Sequence, residues 1–438
     1  MLTENTITEN LPPKVERVFV AYSGGVDSHV LLHLVGLCPS LTSKITAVYV
    51  HHGLQAEADD WAKHCEAISK YLDVPFLCLK VDAKKSVGQS QEEVARNVRY
   101  DALKGLLQAE DVLLVAQHQE DQLETVLLQL FRGAGVQGLS GMPSSIEFGL
   151  GVMCRPFLDI SKQVINEYAA QYRLHWIEDP SNLSDAFDRN YLRNQILPLL
   201  KQRWPRLDKT VSRSARHCAA THKLLNEMAE VEFERIYDIA DKTLNIKLLA
   251  ELELAKQHLV LRRWFTVNAL RMPSEKLLQR IVVEVLAARQ DANPNVQGTG
   301  FSIRRYRNKL FCLRYADIDG EISSEVTWPK ELGYVRLSGV GVLSLCESGE
   351  GLSKNVWMNA DVLIKYRQGA EKLKLAGRTG HHSLKKLFQE QGIPPWVRNK
   401  IPLVYLNGQL AVVAGLWISA DFVSKEKDSC YQIVWKQE

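Results

Sequence analysis

The chain predicts an α/β protein: a parallel-sheet domain covered by helices, then a mainly helical domain, then a small α+β domain. Three observations carry this. From Val15 to Phe131, segments rich in β-branched and aromatic residues alternate with amphipathic segments, and such alternation calls for parallel strands joined by helical crossovers. From Ile196 to about Ala288 the apolar spacing is helical. Past Asp291–Gly300, which holds Pro294, Asn295, Gly298 and Gly300, the pattern turns to short strands. At 438 residues the chain exceeds the ~250–300 residues at which single cores stop growing. Domains are therefore expected at 1–210, 211–325 and 326–438.

In order, strands are expected at Val15–Tyr22, Ile45–Val50, Val74–Leu79 and Val112–Ala116, and helices at Val26–Leu37, Ala56–Leu72, Gln91–Leu107 and Gln119–Phe131. Ser161 opens a helix to Tyr172. The polar segment Asp179–Arg193 follows. Two long helices, Leu248–Leu270 and Ser274–Ala288, mark the middle of the chain. Strands follow at Phe301–Arg305, Leu310–Tyr315, Val335–Leu337 and Val342–Leu345. Ser383–Gln391 is helical, and Leu403–Leu406 with Leu410–Val413 form a hairpin about Asn407-Gly408.

Composition is that of a globular protein, 46% hydrophobic and 24% charged. Eight cysteines without a Cys-x-x-Cys pair argue against a zinc site or a disulfide framework and for a reducing compartment. Met1–Pro13 is polar and acidic, unlike a secretory signal. No apolar run approaches the ~20 residues of a membrane span. The expected location is the cytoplasm.

Ser23-Gly24-Gly25-Val26-Asp27-Ser28 lies where the first strand meets the first helix. The glycines permit positive φ and close approach of a phosphate, and the free N–H groups of the helix start favour an anion. Asp27 beside a phosphate implies a divalent cation, Mg²⁺. A plain capped turn is the bland alternative. The absence of Gly-Lys-Ser/Thr excludes a Walker A loop.

The segment His118–Thr125 follows the fourth strand, on the same sheet edge. On a helix Asp121, Glu124 and Thr125 share one face, where the two acids suit an amine or a metal. His118 suits a phosphate or a substrate carbonyl. Acids favouring the helix dipole are the alternative. Arg132-Gly133 closes that helix. His51 and His52 end the second strand, and metal ligand, nucleotide contact and core histidine all stay open. Arg189 and Arg193 are four apart and suit a phosphate-bearing partner or a solvated face.

Charge is uneven although the net is only +3. Between Arg189 and His217 eight Lys or Arg stand against Asp208 alone; between Asp361 and Lys400 nine stand against three acids. Such stripes neutralise a phosphate backbone, and Tyr191, Trp204 and Trp396 among them suit base stacking. Arg304, Arg305, Arg307 and Lys309 suggest a third contact.

The hexapeptide resembles the signature of the PP-loop ATP pyrophosphatases. With His51-His52-Gly53, His118–Thr125, Arg132-Gly133, Arg155-Pro156, Ser181-Asn182, Arg189-Asn190 and Arg193-Asn194 in order, and with Gly380–Phe388, Ile393–Arg398 and Pro402-Leu403 near the end, the chain resembles the tRNA(Ile)-lysidine synthetase family. One departure is Glu120, where the family often carries Asp. The resemblance implies a Rossmann-like PP-loop fold and ATP-dependent ligation of free L-lysine to the wobble cytidine of a CAU-anticodon isoleucine tRNA. It implies ATP binding at Ser23, Gly24, Gly25, Val26, Asp27, Ser28 and His51, with Mg²⁺ at Asp27. Catalytic roles fall to Asp27, His118, Asp121, Glu124 and Arg132, and lysine binding to Asp121 and Glu124. Contacts to tRNA fall to Arg189, Asn190, Arg193, Arg203, Arg206, Lys385, Lys386 and Arg398. A homodimer is left open. A PP-loop tRNA thiolase and a non-catalytic nucleotide-binding regulator are the competing functions.

Overall fold

The computed structural model describes residues 2–51, 53, 58–82, 91–180, 184–289, 292–315, 325–424 and 430–436. His52, Ser181 and Asn182, singled out above, lie outside the described residues. The chain packs into two compact units, Met1–Glu227 and Met228–Glu438.

In the first unit a short helix α1 (Glu4–Thr8) precedes β1 (Val18–Ala21). Along β1, Val18 and Val20 join one core cluster and Phe19 the other. That two-residue alternation with both faces buried is what a central strand of a doubly covered sheet requires. The chain continues through α2 (Val26–Gly36), β2 (Ile45–His51), α3 (Ala58–Tyr71), β3 (Phe76–Lys80), α4 (Gln91–Leu106), β4 (Val112–Leu114) and α5 (Gln119–Phe131). These fall within a few residues of the expected spans. Next come α6 (Val136–Leu139), a hairpin of β5 (Ser145–Phe148) and β6 (Gly151–Cys154) that periodicity had not indicated, and α7 (Lys162–Gln171), with Ser161 as its N-cap.

The sheet order is β3-β2-β1-β4-β6-β5. All neighbours are parallel except the edge pair β5 and β6. From β1 the chain steps outward to β2 and β3, then returns to β4 on the opposite side of β1. The strand order therefore reverses between β1 and β4. Ligands of open α/β sheets bind outside the carboxyl ends of the strands at such a point, and both sequence constellations start there.

Further along lie α8 (Asp188–Tyr191), a wide π-turn (Leu192–Ile196) and α9 (Leu197–Arg203). The helix α10 (Leu207–Ile236) follows, and the boundary between the two units falls inside it, between Glu227 and Met228.

The second unit holds more sheet than its helical pattern suggests. The expected helix Leu248–Leu270 is two helices, α11 (Ile246–Ala250), capped by Asn245, and α12 (Leu254–Val267). Ser274 caps α13 (Glu275–Arg280), which widens into a π-turn at Ile281–Leu286. They pack on a sheet that includes β-strands Asn295–Gly298, Phe301–Tyr306 and Lys309–Arg314. Toward the C-terminus two five-stranded sheets and a two-stranded ribbon carry the helix Leu384–Gln391, opened by Ser383. The Leu403–Leu406 and Gln409–Val413 strands turn through Asn407 and Gly408, both at positive φ (49° and 80°), as a tight hairpin turn of this kind demands. Among the described residues no helix is long and apolar enough to cross a membrane.

Candidate active site

The loop after β1 is built by its glycine and serines. Gly24 has φ +84°, and a Cβ there would meet Ile177 Cδ1 at 2.9 Å and Cys65 Sγ at 3.1 Å. Only glycine suits both the conformation and the space. Gly25, at φ −74°, is ordinary extended backbone and the N-cap of α2. Ser28 Oγ accepts from Ser23 N–H (3.1 Å) and donates to Gly25 carbonyl (3.0 Å), while Ser23 Oγ lies 3.1 Å from it. No side chain caps the start of α2. The N-cap residue thus leaves the first N–H groups of the helix without a side-chain acceptor of its own, as an anion site needs.

Across the switch point, α5 starts at His118. The His118 N–H donates to Asp121 Oδ2 (3.0 Å), which fixes the first turn. Two bonds tie this turn to the start of α7. Gln119 N–H donates to Ile160 carbonyl (2.9 Å) and Lys162 N–H to Glu120 Oε2 (2.9 Å). The buried His118 ring stands among three acids: Nδ1 is 3.3 Å from Glu120 Oε2, and Nε2 is 3.5 Å from Asp121 Oδ2 and 3.8 Å from Asp27 Oδ2. Asp27, on the phosphate loop, is thereby brought to the carboxylates of α5.

Cations from distant segments close the cluster. Lys162 Nζ is paired with Asp27 Oδ1. Arg193 reaches Glu124 through Nε (2.6 Å) and Nη2 (2.9 Å), and Asp121 through Nη2 (3.1 Å). Arg189 Nε is 3.3 Å from Glu124 Oε2, and its Nη2 donates to Thr125 Oγ1 (2.8 Å). Lys201 Nζ stands 3.3 Å from Glu120 Oε1. Asp27, His118, Glu120, Glu124, Lys162, Arg193, Leu197, Pro198 and Lys201 line a pocket of about 300 Å³.

Burial alone would lower the His118 pKa, but Glu120, Asp121 and Asp27 outweigh it and hold the imidazolium form above its usual range. Burial would raise Glu120; the His118 bond, the Lys162 N–H and Lys201 outweigh it and hold that carboxyl at about 2. Burial lifts Glu124, which has no exposed surface, although Arg193 and Arg189 oppose the shift. The pocket thus combines carboxylate acceptors, an imidazole biased toward its protonated form and ion-paired cations, which suits an anionic nucleotide and an amine.

Among the described residues no group of three His, Cys, Asp or Glu has the geometry of a metal cage. Asp27 has the right chemistry for a different arrangement: one hard oxygen donor, 31% exposed, at the phosphate loop. Mg²⁺ is held in this way by one or two carboxylates plus substrate phosphates.

Residues 3–200 match the PP-loop domain family, residues 244–311 the TilS substrate binding domain, and residues 362–435 the TilS substrate C-terminal domain. The chain is 40% identical over 409 residues to the tRNA(Ile)-lysidine synthase of Methylococcus capsulatus, covering 92% of each chain. It is 38% identical over 420 residues to that of Coxiella burnetii, covering 93% of this chain and 91% of the other. The chain belongs to the tRNA(Ile)-lysidine synthase family. A third relative, the tRNA(Ile)-lysidine synthase of Photobacterium profundum, is 39% identical over 433 residues and 95% of each chain.

Within this family member the expected residues fall into three groups. Asp27, His118, Asp121 and Glu124 converge with the Ser23–Ser28 loop. Arg189 and Arg193 join them as ion-pair partners of Glu124, which sets aside the reading of a merely solvated face. Arg132 is elsewhere: exposed at the C-cap of α5, it lines a separate pocket of about 700 Å³ with Arg96, Thr125 and Arg189. His51 pairs with Asp59 at 3.2 Å. Asn190 Nδ2 donates to Ser184 carbonyl (2.9 Å). Arg203, Arg206, Lys385 and Lys386 are exposed.

Arg398 corrects the sequence expectation. It is 6% exposed, with Nε donating to Ile393 carbonyl (2.8 Å) and Nη2 to Tyr306 hydroxyl (3.3 Å), so it is a structural tie and offers no surface to RNA. The four basic residues of the suggested third contact all have partners within the chain. Arg305 donates to the carbonyls of Leu286 and Ala288, Arg307 to that of Gln389, and Lys309 pairs with Asp238. Arg304 lies over the Trp396 ring, which packs edge-on against Phe311.

Lys162 and Lys201 were not singled out by the sequence. Lys201 stood unremarked within the first basic stripe. For Lys162 a signal exists: a lysine at the first helical position opposes the dipole, and it sits just beyond the carboxyl end of a parallel strand, β6.

Proposed function

We propose that this protein joins the ε-amine of free L-lysine to C2 of the wobble cytidine in the CAU anticodon of isoleucine tRNA, consuming ATP and giving lysidine, AMP and pyrophosphate. The observation that carries the proposal is the convergence of the PP-loop and the His118–Thr125 carboxylates on one pocket at the β1/β4 switch point, in a chain of the lysidine synthase family. In this scheme the Ser23–Ser28 loop receives the phosphates. Mg²⁺, when bound through Asp27 and the phosphates, would neutralise charge on the departing pyrophosphate.

The cytidine enters flipped out of its stack. Its 2-oxygen attacks the α-phosphate, the bond to the β-phosphate breaks, and the His118 ring, whose neighbouring acids favour its protonated form, faces the developing charge. Asp121 and Glu124 are assigned to the lysine ammonium, which requires Arg193 to move off them. One carboxylate removes a proton so that the free amine attacks C2, and AMP leaves with the former carbonyl oxygen. The exposed Arg203, Arg206, Lys385 and Lys386 are assigned to the tRNA backbone, and the expected place of action is the cytoplasm.

Thiolation fits the pocket poorly. No cysteine lines it, and burial pushes the thiols of Cys65 and Cys154 up to about 12 and about 11, away from the thiolate form that sulfur transfer uses. Incubation with ATP, Mg²⁺, labelled lysine and a CAU-anticodon tRNA transcript should leave acid-precipitable label on the RNA. Absence of label, with the tRNA intact, would refute the assignment.

A further inference from the structure

The pocket's cations are not equivalent. Arg193 is shared between Asp121 and Glu124, and Lys201 lies between Glu120 and Asp208, at 3.3 and 3.8 Å. Lys162 Nζ stands on Asp27, which belongs to the phosphate loop itself. Its origin is fixed, because its own N–H is bonded to Glu120 Oε2 on α5. Only the four-carbon stem is left to move. Both side chains of the pair are about one-third exposed, 33% and 31%, and a single partly exposed ion pair is weak and readily exchanged. The residue is a lysine, a compact point charge that suits phosphate oxygens. It is placed at the start of α7 against the dipole of that helix, so helix stability does not explain it.

Asp27 alone beside a triphosphate would repel it. In the free protein Lys162 cancels that charge and occupies one oxygen of the carboxylate which the proposed ATP site gives to the metal. A phosphate chain seated on Ser23–Ser28 offers the ammonium more negative charge than Asp27 does. We propose that Lys162 is a phosphate-binding residue that covers Asp27 in the nucleotide-free protein and passes to the phosphates as ATP and the divalent cation enter together. This rests on the ATP site proposed above and adds to it an order of events: the metal binds with the nucleotide and poorly before it.

The test is calorimetric titration of the full chain with Mn²⁺ alone, and with ATP in the presence of Mn²⁺. Lys162→Met should bind Mn²⁺ without nucleotide about tenfold more tightly than wild type, since Asp27 loses its competitor, and should bind ATP about tenfold more weakly. Lys162→Arg should keep ATP affinity within about threefold of wild type. If Lys162→Met does not fold, Lys162→Gln, which stays polar and loses charge, should show the same two shifts. Unchanged ATP affinity, or unchanged Mn²⁺ affinity, in the neutral variant overturns the proposal for Lys162 alone. A wild-type protein that binds no ATP overturns the underlying ATP site.

Discussion

Asp27 lies in the first turn of α2, with Lys162 on one oxygen and His118 facing the other. A carboxylate in that place opposes phosphate binding unless it carries a cation, so its removal should spare folding and damage chemistry. Asp27→Ala is expected to lower label transfer to tRNA by roughly a hundredfold or more, in line with loss of one charge-stabilising group, with little change in melting temperature. Wild-type transfer rates would remove Asp27 from the metal site. Glu120 makes a prediction of the other kind. Its folded pKa of about 2 lies below the ordinary 4.5. Such a depressed acid contributes stability above pH 4.5, and that contribution is lost as pH falls toward 2. Glu120→Gln should therefore be less stable at pH 6 by on the order of 2 kcal/mol. It should also lose stability less steeply than wild type between pH 4.5 and 2. Urea unfolding across that range decides, and identical slopes for the two proteins would mean that Glu120 is not held by His118, Lys162 and Lys201. His118 runs oppositely: its raised pKa gives stability that is complete below pH 6.5 and is lost as pH rises through the folded value.

Elements whose periodicity matches their packing were legible. The helix Gln119–Phe131 was placed without error, because its apolar stripe and its N-terminal His-x-x-Asp capping pair agree. The β5–β6 hairpin escaped because each strand is only four residues long, too short for an alternation to register. The helix expected at Leu248–Leu270 breaks at Glu251–Glu253, where Glu251 closes α11, Glu253 takes an extended conformation before α12, and Gln257 Nε2 donates to the Leu252 carbonyl, a turn that propensity does not show. The site was legible in its local parts, the loop and the α5 acids, and illegible where it depends on pairings such as Arg193 with Glu124, 69 positions apart. Arg398 shows the same limit. Its composition suited an RNA face, but the short helix Pro395–Arg398 lies against Tyr306 and Phe311 through Trp396, and burial turns the guanidinium into a tie between elements. Arg398→Ala should lower unfolding free energy by about 2 kcal/mol, because a partly buried carbonyl and hydroxyl lose their donor and the buried guanidinium leaves a gap. The salt dependence of tRNA binding should not change. A salt slope that falls with this variant would return Arg398 to the RNA surface.

For the molecule as a whole, the proposed substrate is far larger than a 300 Å³ pocket. The net charge of +3 is too small to attract RNA unless cations are concentrated. Each compact unit supplies such a concentration. In the first, Arg203 and Arg206 flank the exposed Trp204, close in sequence to the pocket residues Pro198 and Lys201. In the second, Lys385 and Lys386 are exposed on the first turn of the helix Leu384–Gln391, while Leu384, Leu387 and Phe388 of the same helix are buried. That helix thus has an anchored face and a basic face, and its lysines can be removed without touching the core. Because the substrate is a polyanion, each phosphate contact releases counterions and adds to the salt slope. The double variant Lys385→Ala, Lys386→Ala should weaken tRNA binding at low salt and lower the slope of log affinity against log salt by roughly 1.5, the value for two lost phosphate contacts. The proposed adenylation site lies in the first unit, so turnover at saturating tRNA should stay near wild type while the apparent KM for tRNA rises. An unchanged slope would make the lysines a solvated face and leave the first unit's basic surface as the tRNA-binding site.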